Sequence, residues 1–184
     1  MNDKEMPKYH RALGLTMRNP RLWGEHYLMN RDGSARRYWQ HQNEDLECSA
    51  TNIIHLDGRD TGKTVDIATL ALHHAFVKKG GSVLVAAPHQ GPVDTIIEEV
   101  EAQIESSPAL KASVAVNSQG RPKIIRKPYF KIEFTTGSTI YFRPAGAYGD
   151  PFRSLHVDLV LVDEGAWLTE KAWKALRQCL KAGG

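Results

Sequence analysis

The sequence of 184 residues predicts an α/β fold in three layers, a mainly parallel sheet with helices on both faces. Three observations carry that reading. Apolar runs at Ser82–Ala87 (SVLVAA) and Val157–Val162 (VDLVLV) have the character of strands covered on both sides. Strand-like and helix-like segments alternate over the first half of the chain, which implies parallel strands joined by crossover helices. Between one such strand and helix stands Gly62-Lys63-Thr64, a glycine-led turn of the kind found at the edge of a parallel sheet.

Residues 1–36 are polar and carry turn formers at Asn19-Pro20 and Asp32-Gly33-Ser34. They read as an N-terminal arm with one or two short helices, lying on the domain formed by residues 37–184. A helix is expected from about Arg37-Tyr38-Trp39-Gln40 to Cys48, and a short β-branched strand over Asn52-Ile53-Ile54-His55-Leu56. Thr64 to Lys78 has apolar residues so densely spaced that the helix should be buried on more than one side, and Gly80-Gly81 ends it. The strand Ser82–Ala87 follows, then a turn at Pro88 and Gly91-Pro92, then an amphipathic helix from Val93 to about Ile104. Tyr129–Thr135 and Thr139–Phe142 alternate apolar and polar residues around Thr136-Gly137-Ser138, a β-hairpin inserted between the parallel units. The strand Val157–Val162 ends at Asp163-Glu164, and a helix from Glu170 to Lys181 closes the chain.

Composition excludes several classes. With 41% hydrophobic and 24% charged residues the chain is ordinary for a globular domain, and it has room for one. Its net charge of +3 permits a polyanionic partner without demonstrating one. Cys48 and Cys179 lack metal-ligand spacing and suit a reducing compartment better than a disulfide. No run approaches the ~20 apolar residues of a membrane span. The polar start Met1-Asn2-Asp3-Lys4-Glu5 lacks a signal peptide's apolar core, so the expected location is the compartment of synthesis.

Two motifs carry chemistry. A bound triphosphate needs converging backbone amides, a cation and a helix N-terminus, followed by a hydroxyl for Mg²⁺. Gly58-Arg59-Asp60-Thr61-Gly62-Lys63-Thr64 offers them, with Lys63 for the β and γ phosphates and Thr64 for the metal. The spacing departs from the standard phosphate loop, because Asp57 occupies the place six residues before the lysine and the glycine is displaced to Gly58. The second motif is Asp163-Glu164 at the C-terminal end of a strand, the edge where ligands of open parallel sheets bind. Asp163 would place Mg²⁺ and Glu164 would polarise the attacking water. Each motif has a plain alternative, an ordinary strand–helix turn and an ordinary acidic loop. Together they make ATP hydrolysis by a phosphate-loop (P-loop) NTPase of the additional-strand, catalytic-glutamate type the expected chemistry.

From roughly residue 20 to 170 the chain resembles the ATPase domain of bacteriophage large terminase subunits, the motors that package double-stranded DNA. Arg59 stands four residues before Lys63, as in the deviant phosphate loop of that family. Arg37-Tyr38-Trp39-Gln40 is similar to its adenine-reading Arg-x-x-Gln, with Gln42 close enough to leave the register open. Asn19-Pro20-Arg21-Leu22-Trp23-Gly24-Glu25, SVLVAAPHQ, and IEFTTGSTIYF with FRSLHVDLVLVDEGAW also look like family segments. The resemblance implies that Arg153, about ten residues before the acidic pair, acts as a finger inserted into a neighbouring subunit's site; its plain alternative is a surface ion pair. It further implies ATP and Mg²⁺ as cofactors. The implied partners are duplex DNA, the small terminase subunit, the portal protein and further copies in a ring. The place of action would be the host cytoplasm, transiently at the procapsid portal. No convincing coupling motif follows the acidic pair and nothing resembles the family's nuclease centre, so the chain reads as an ATPase core alone. The alternatives are a helicase-like DNA translocase and a nucleotide-binding scaffold that does not hydrolyse.

Other features are secondary. Arg121, Lys123, Arg126, Lys127 and Lys131, interleaved with Tyr129 and Phe130, could contact DNA phosphates or form a solvated basic face. His73-His74 reads as packing or surface rather than a metal site, and Trp167 and Trp173 as core anchors.

Overall fold

The computed structural model describes residues 13–30, 32–56, 58 and 60–181. Residues 13–18 are helical, and the named elements begin with α1 (Pro20–Tyr27) and α2 (Gln40–Glu47). There follow α3 (Lys63–Val77), β1 (Ser82–Ala87), α4 (Gln90–Ser106) and α5 (Pro108–Ser113). The second half contains β2 (Ile124–Ile125), β3 (Lys131–Glu133), β4 (Thr139–Pro144), β5 (Leu159–Val162) and α6 (Glu170–Cys179). Short 3₁₀ turns cover Asp150–Phe152 and Gly165–Trp167.

The sheet order is β2-β3-β4-β1-β5. Its centre is parallel, with Val83 opposite Ile140 on one side and Leu159 on the other, while β2 and β3 run antiparallel beside β4. The expected hairpin is therefore fused into the main sheet: its second arm, β4, is also the parallel neighbour of β1. Period-two alternation along β1 divides the core between two faces. Val83, Val85 and Ala87 pack with Trp23, Leu72, Ile96, Ile140 and Phe142 under α1, α3 and α4. Leu84 and Ala86 pack with Phe152, Leu176 and Cys179 under α6. Helices on both faces make the three layers that the apolar strands predicted. Each fully buried Leu or Phe contributes about 1.5–3 kcal/mol relative to exposure. Trp23, from the segment expected to lie outside the core, is fully buried and sits edge-on to His73 at 5.5 Å.

Helix α3 can lie close to the sheet because its inner face is Ala68, Ala71, Leu72 and Ala75. It ends beside the β3–β4 turn, where Thr136 Oγ1 donates to the Ala75 carbonyl at 2.8 Å and Gly80 N–H to the Thr136 carbonyl at 3.0 Å. That junction is the N-terminal end of β4 and β1. Helix α3 runs about 22 Å and β1 about 20 Å at standard rises, so the start of α3 arrives at the C-terminal edge of the sheet.

Three expectations are corrected. Residues 52–56 form no strand, and Ile54 and Leu56 are 88% and 97% exposed rather than packed on the sheet. β5 is the outermost strand among the described residues, and all four of its residues are half-buried rather than covered on both sides. Trp167 is 77% exposed and anchors nothing, whereas Trp173 packs against the α6 face of the core. Among the described residues no helix is long and apolar enough to cross a membrane, and both cysteines are free.

Candidate functional site

The loop before α3 owes its shape to residues that tolerate unusual backbone. Asp60 and Gly62 both adopt positive φ, 60° and 86°, and Gly62 is the N-cap of α3 with no side chain capping the helix. The first turn of α3, at the positive end of the helix dipole, is thus closed by no side chain of Gly62. The carbonyl of Gly58 gathers the loop inward, accepting from Thr61 Oγ1 at 3.2 Å and from Lys63 Nζ at 2.5 Å. Thr64 lies in the first turn of α3, half-buried. Arg59 and Asp57 lie outside the described residues.

Helix α2 clamps this loop from the side. Gln42 is buried, and its Nε2 donates to Asp66 Oδ1 at 2.9 Å and to the Gly62 carbonyl at 3.4 Å. Its Oε1 accepts from the Trp39 amide at 3.0 Å. The His41 ring nitrogen Nε2 lies 2.8 Å from the Thr61 carbonyl. A Cβ on Gly62 would fall 2.4 Å from Gln42 Nε2, so glycine is required there by space as well as by φ. Gln40 is exposed, with Nε2 donating to Glu44 Oε1 at 3.3 Å. Of the two glutamines whose register the sequence left open, the structure brings Gln42 to the loop. The contributions of His41 and Asp66 escaped sequence reading. Asp66, three residues after Lys63 in the first helical turn, was the one detectable signal, since an acid there complements the helix dipole.

The acidic pair follows β5 directly. Asp163 N–H donates to the Ala86 carbonyl at 2.9 Å, which continues the ladder with β1 and holds Asp163 at the C-terminal edge of the sheet. Glu164 has φ 50°, and its N–H donates to Asp163 Oδ1 at 2.9 Å. This left-handed turn leaves the Glu164 residue exposed. A non-glycine residue held at positive φ is uncommon and clusters at functional sites. The next residue is pinned from α6, whose Trp173 Nε1 donates to the Gly165 carbonyl at 3.2 Å. The lysine-bearing loop and the carboxylates therefore share one edge of the sheet, with α3 packed against β1 and β5 between them.

Arg153 follows the 3₁₀ turn anchored by buried Phe152, and its side chain is 67% exposed. Its Nε pairs with Asp150 Oδ1 at 3.1 Å, not with the acidic pair. In the basic stretch, Lys123 and Lys131 both pair with Glu133, and Arg126 pairs with Glu101 at 2.6 Å. Much of that charge is neutralised within the chain. His73 is half-buried with its ring Nε2 3.0 Å from the Met17 carbonyl, and burial lowers the pKa of both His73 and His74, to about 4 for His74. Among the described residues no cluster of three His, Cys, Asp or Glu side chains is placed to hold a metal. Mg²⁺ with a nucleotide does not need one, since phosphates and water supply most of its ligands.

Comparison with known proteins agrees with this architecture. Residues 54–181 match the model of the family described as terminase large subunit, T4likevirus-type, N-terminal. No curated protein matches the chain. Among solved structures, the large terminase of bacteriophage HK97 superposes with a TM-score of 0.72 at 14% identity, over 89% of this chain and 34% of that one. The large terminase ATPase domain of Thermus phage P74-26 superposes with a TM-score of 0.60 at 21% identity, over 80% of this chain and 61% of that one. The chain thus spans about a third of the length of the HK97 protein it resembles. The family match covers most of the sequence, and the mainly parallel sheet is the fold of those ATPase domains: the chain belongs to the family of terminase large subunit N-terminal domains.

Proposed function

We propose that this chain carries the ATP-hydrolysing site of a viral DNA-packaging motor. The observation that supports it most is the convergence, on the C-terminal edge of the sheet, of a left-handed glycine loop bearing Lys63 and a strand-end pair Asp163-Glu164. Backbone amides at the start of α3 would bind the phosphates of ATP, with Gly58, Arg59, Asp60, Thr61 and Gly62 forming the cradle. Lys63 would release the Gly58 carbonyl and offset the β and γ charge. The residues present fit Mg²⁺ through the Thr64 hydroxyl and the Asp163 carboxylate, and the ion when bound neutralises charge on the phosphates. Glu164, exposed beside Asp163, would orient water and accept its proton. Arg59 and, from a neighbouring copy, Arg153 would stabilise charge as the γ-phosphate leaves. Gln42 takes the place of Gln40 as the glutamine tied to this site. Duplex DNA, the portal protein, the small terminase subunit and further copies in a ring are the partners this role requires, at the procapsid portal.

The test is ATP turnover together with binding of a fluorescent ATP analogue. Lys63→Ala should lose both. Glu164→Gln should keep binding and lose turnover by about 10²–10⁴-fold. Wild-type affinity and turnover in Lys63→Ala would overturn the assignment.

A further inference from the structure

The same sheet edge, two strands away from the acidic pair, holds a second basic feature. Arg143 ends β4 and is only 8% exposed. Its guanidinium lies over the Tyr129 ring at 4.5 Å and near Tyr141 at 5.5 Å. Nη1 donates to the carbonyls of Phe130 and Phe142 at 3.1 and 2.9 Å, which fixes the plane of the group. Among the described residues no carboxylate lies within ion-pair distance, and Nε and Nη2 have no protein acceptor, though neither is sealed from solvent. A guanidinium this buried without a counter-ion costs free energy, and burial pulls its pKa down.

Arg143 lines an open cleft of about 790 Å³, and the start of α4 lines it too. Helix α4 has 17 residues, its N-cap His89 makes no side-chain cap, and its first turn has no acid. The amides of Gln90 and Gly91 therefore stand unpaired at a positive helix end, and a Cβ on Gly91 would meet nothing within 4 Å. The acid on the rim, Asp150, is engaged by Arg153. A second groove, lined by Arg126 and Asp94, shares Gln90, Pro128 and Tyr129 with the first, so the two form one track; Arg126 pairs with Glu101, and Asp94 accepts from Gln90 Nε2 at 2.7 Å.

From this we infer that the Arg143 cleft is a phosphate-binding site for the backbone of duplex DNA, built from a buried guanidinium and the uncapped N-terminus of α4. Phosphoryl oxygens could also come from a free nucleotide, but the track is open and continues past Tyr129, as suits a polymer. Contacts of this kind read no base and position the duplex without sequence preference.

The test is fluorescence anisotropy of a labelled 30-base-pair random duplex across a salt series. Arg143→Gln should weaken binding about tenfold and lower the salt slope by about 0.9. His89→Asp should also weaken DNA binding while holding or raising thermal stability, because an acid at an N-cap stabilises the helix that it closes to the anion. That second variant keeps the test decisive if Arg143→Gln fails to fold. Lys63→Ala should retain DNA affinity and Arg143→Gln should retain affinity for the ATP analogue, which separates this site from the phosphate loop. Unchanged DNA affinity in both cleft variants, or wild-type chain with no salt-dependent binding, overturns the inference and leaves the ATPase reading untouched. Loss of nucleotide rather than DNA binding in Arg143→Gln overturns it as well, in favour of the nucleotide as the anion's source.

Discussion

Replacing Gly62 by alanine tests the loop geometry most directly, because two penalties act at once and can be separated. The first is conformational: φ is 86°, and a left-handed backbone costs about 1–2 kcal/mol for a residue with a Cβ. The second is steric. The new Cβ would fall 2.4 Å from Gln42 Nε2, so Gln42 must move and surrender its bonds to Asp66 and from Trp39. Each of those bonds contributes about 0.5–1.5 kcal/mol. The sum is roughly 2–5 kcal/mol. At about 2–4 °C per kcal/mol for a chain of this size, a penalty near the middle of that range lowers Tm by roughly 7–14 °C. Differential scanning calorimetry on Gly62→Ala, Gln42→Ala and the double variant separates the terms. Removing the Gln42 amide abolishes the clash but not the φ penalty, so the double variant should be less destabilised than the two single changes added together, by about 1–3 kcal/mol. Strict additivity, or a Gly62→Ala protein within about 0.5 kcal/mol of wild type, would refute the claim that α2 shapes the loop before α3.

Other expectations follow from the same contacts. Arg153→Ala should abolish any rise of specific activity with protein concentration while leaving ATP-analogue affinity intact; a retained rise would rule out a finger role. His73 and His74 are held neutral by burial, so their folded pKa values lie below the ordinary 6.5. Stability is then complete above pH 6.5 and declines as pH falls towards about 4, where His74 charges in the folded chain. A Tm–pH profile should show that decline, and His74→Gln should flatten it. Trp173→Phe removes the donor to the Gly165 carbonyl, which should cost about 1 kcal/mol and lower turnover more than nucleotide affinity, since it releases the loop after Glu164. Equal loss of both would show that Trp173 acts only through packing.

Most of the fold was legible because local patterns agreed with it. SVLVAA has no polar residue after its first, and a strand of that kind needs cover on both faces, which the structure supplies. The dense apolar spacing of α3 likewise announced a helix pressed against a sheet. Ile53-Ile54 misled for the opposite reason: β-branched residues favour extended backbone, but a strand exists only with a partner, and no periodicity reports whether one is available. The acidic pair and Lys63 were readable from their junctions with regular elements. The α2 clamp was not, because Gln42 meets Gly62 across 20 residues and nothing local distinguishes Gln42 from Gln40. Arg143 was passed over for a related reason. In sequence it is one cation among 24, and only its place in the fold shows that it lies buried without an acid.

The outermost position of β5 has a consequence for handling the protein. Among the described residues Leu159–Val162 pair with β1 alone, Leu180 bridges to Val157 just before them, and Ile54 and Leu56 lie exposed on the same molecule. The tract of one copy suits the outer edge of β5 in another, and this pairing is head-to-tail, so it need not close. Self-association by that route grows with concentration, as a subunit-spanning arginine would also require. A charged substitution at Ile54 would suppress the sticky route and spare the arginine, and so tell the two apart.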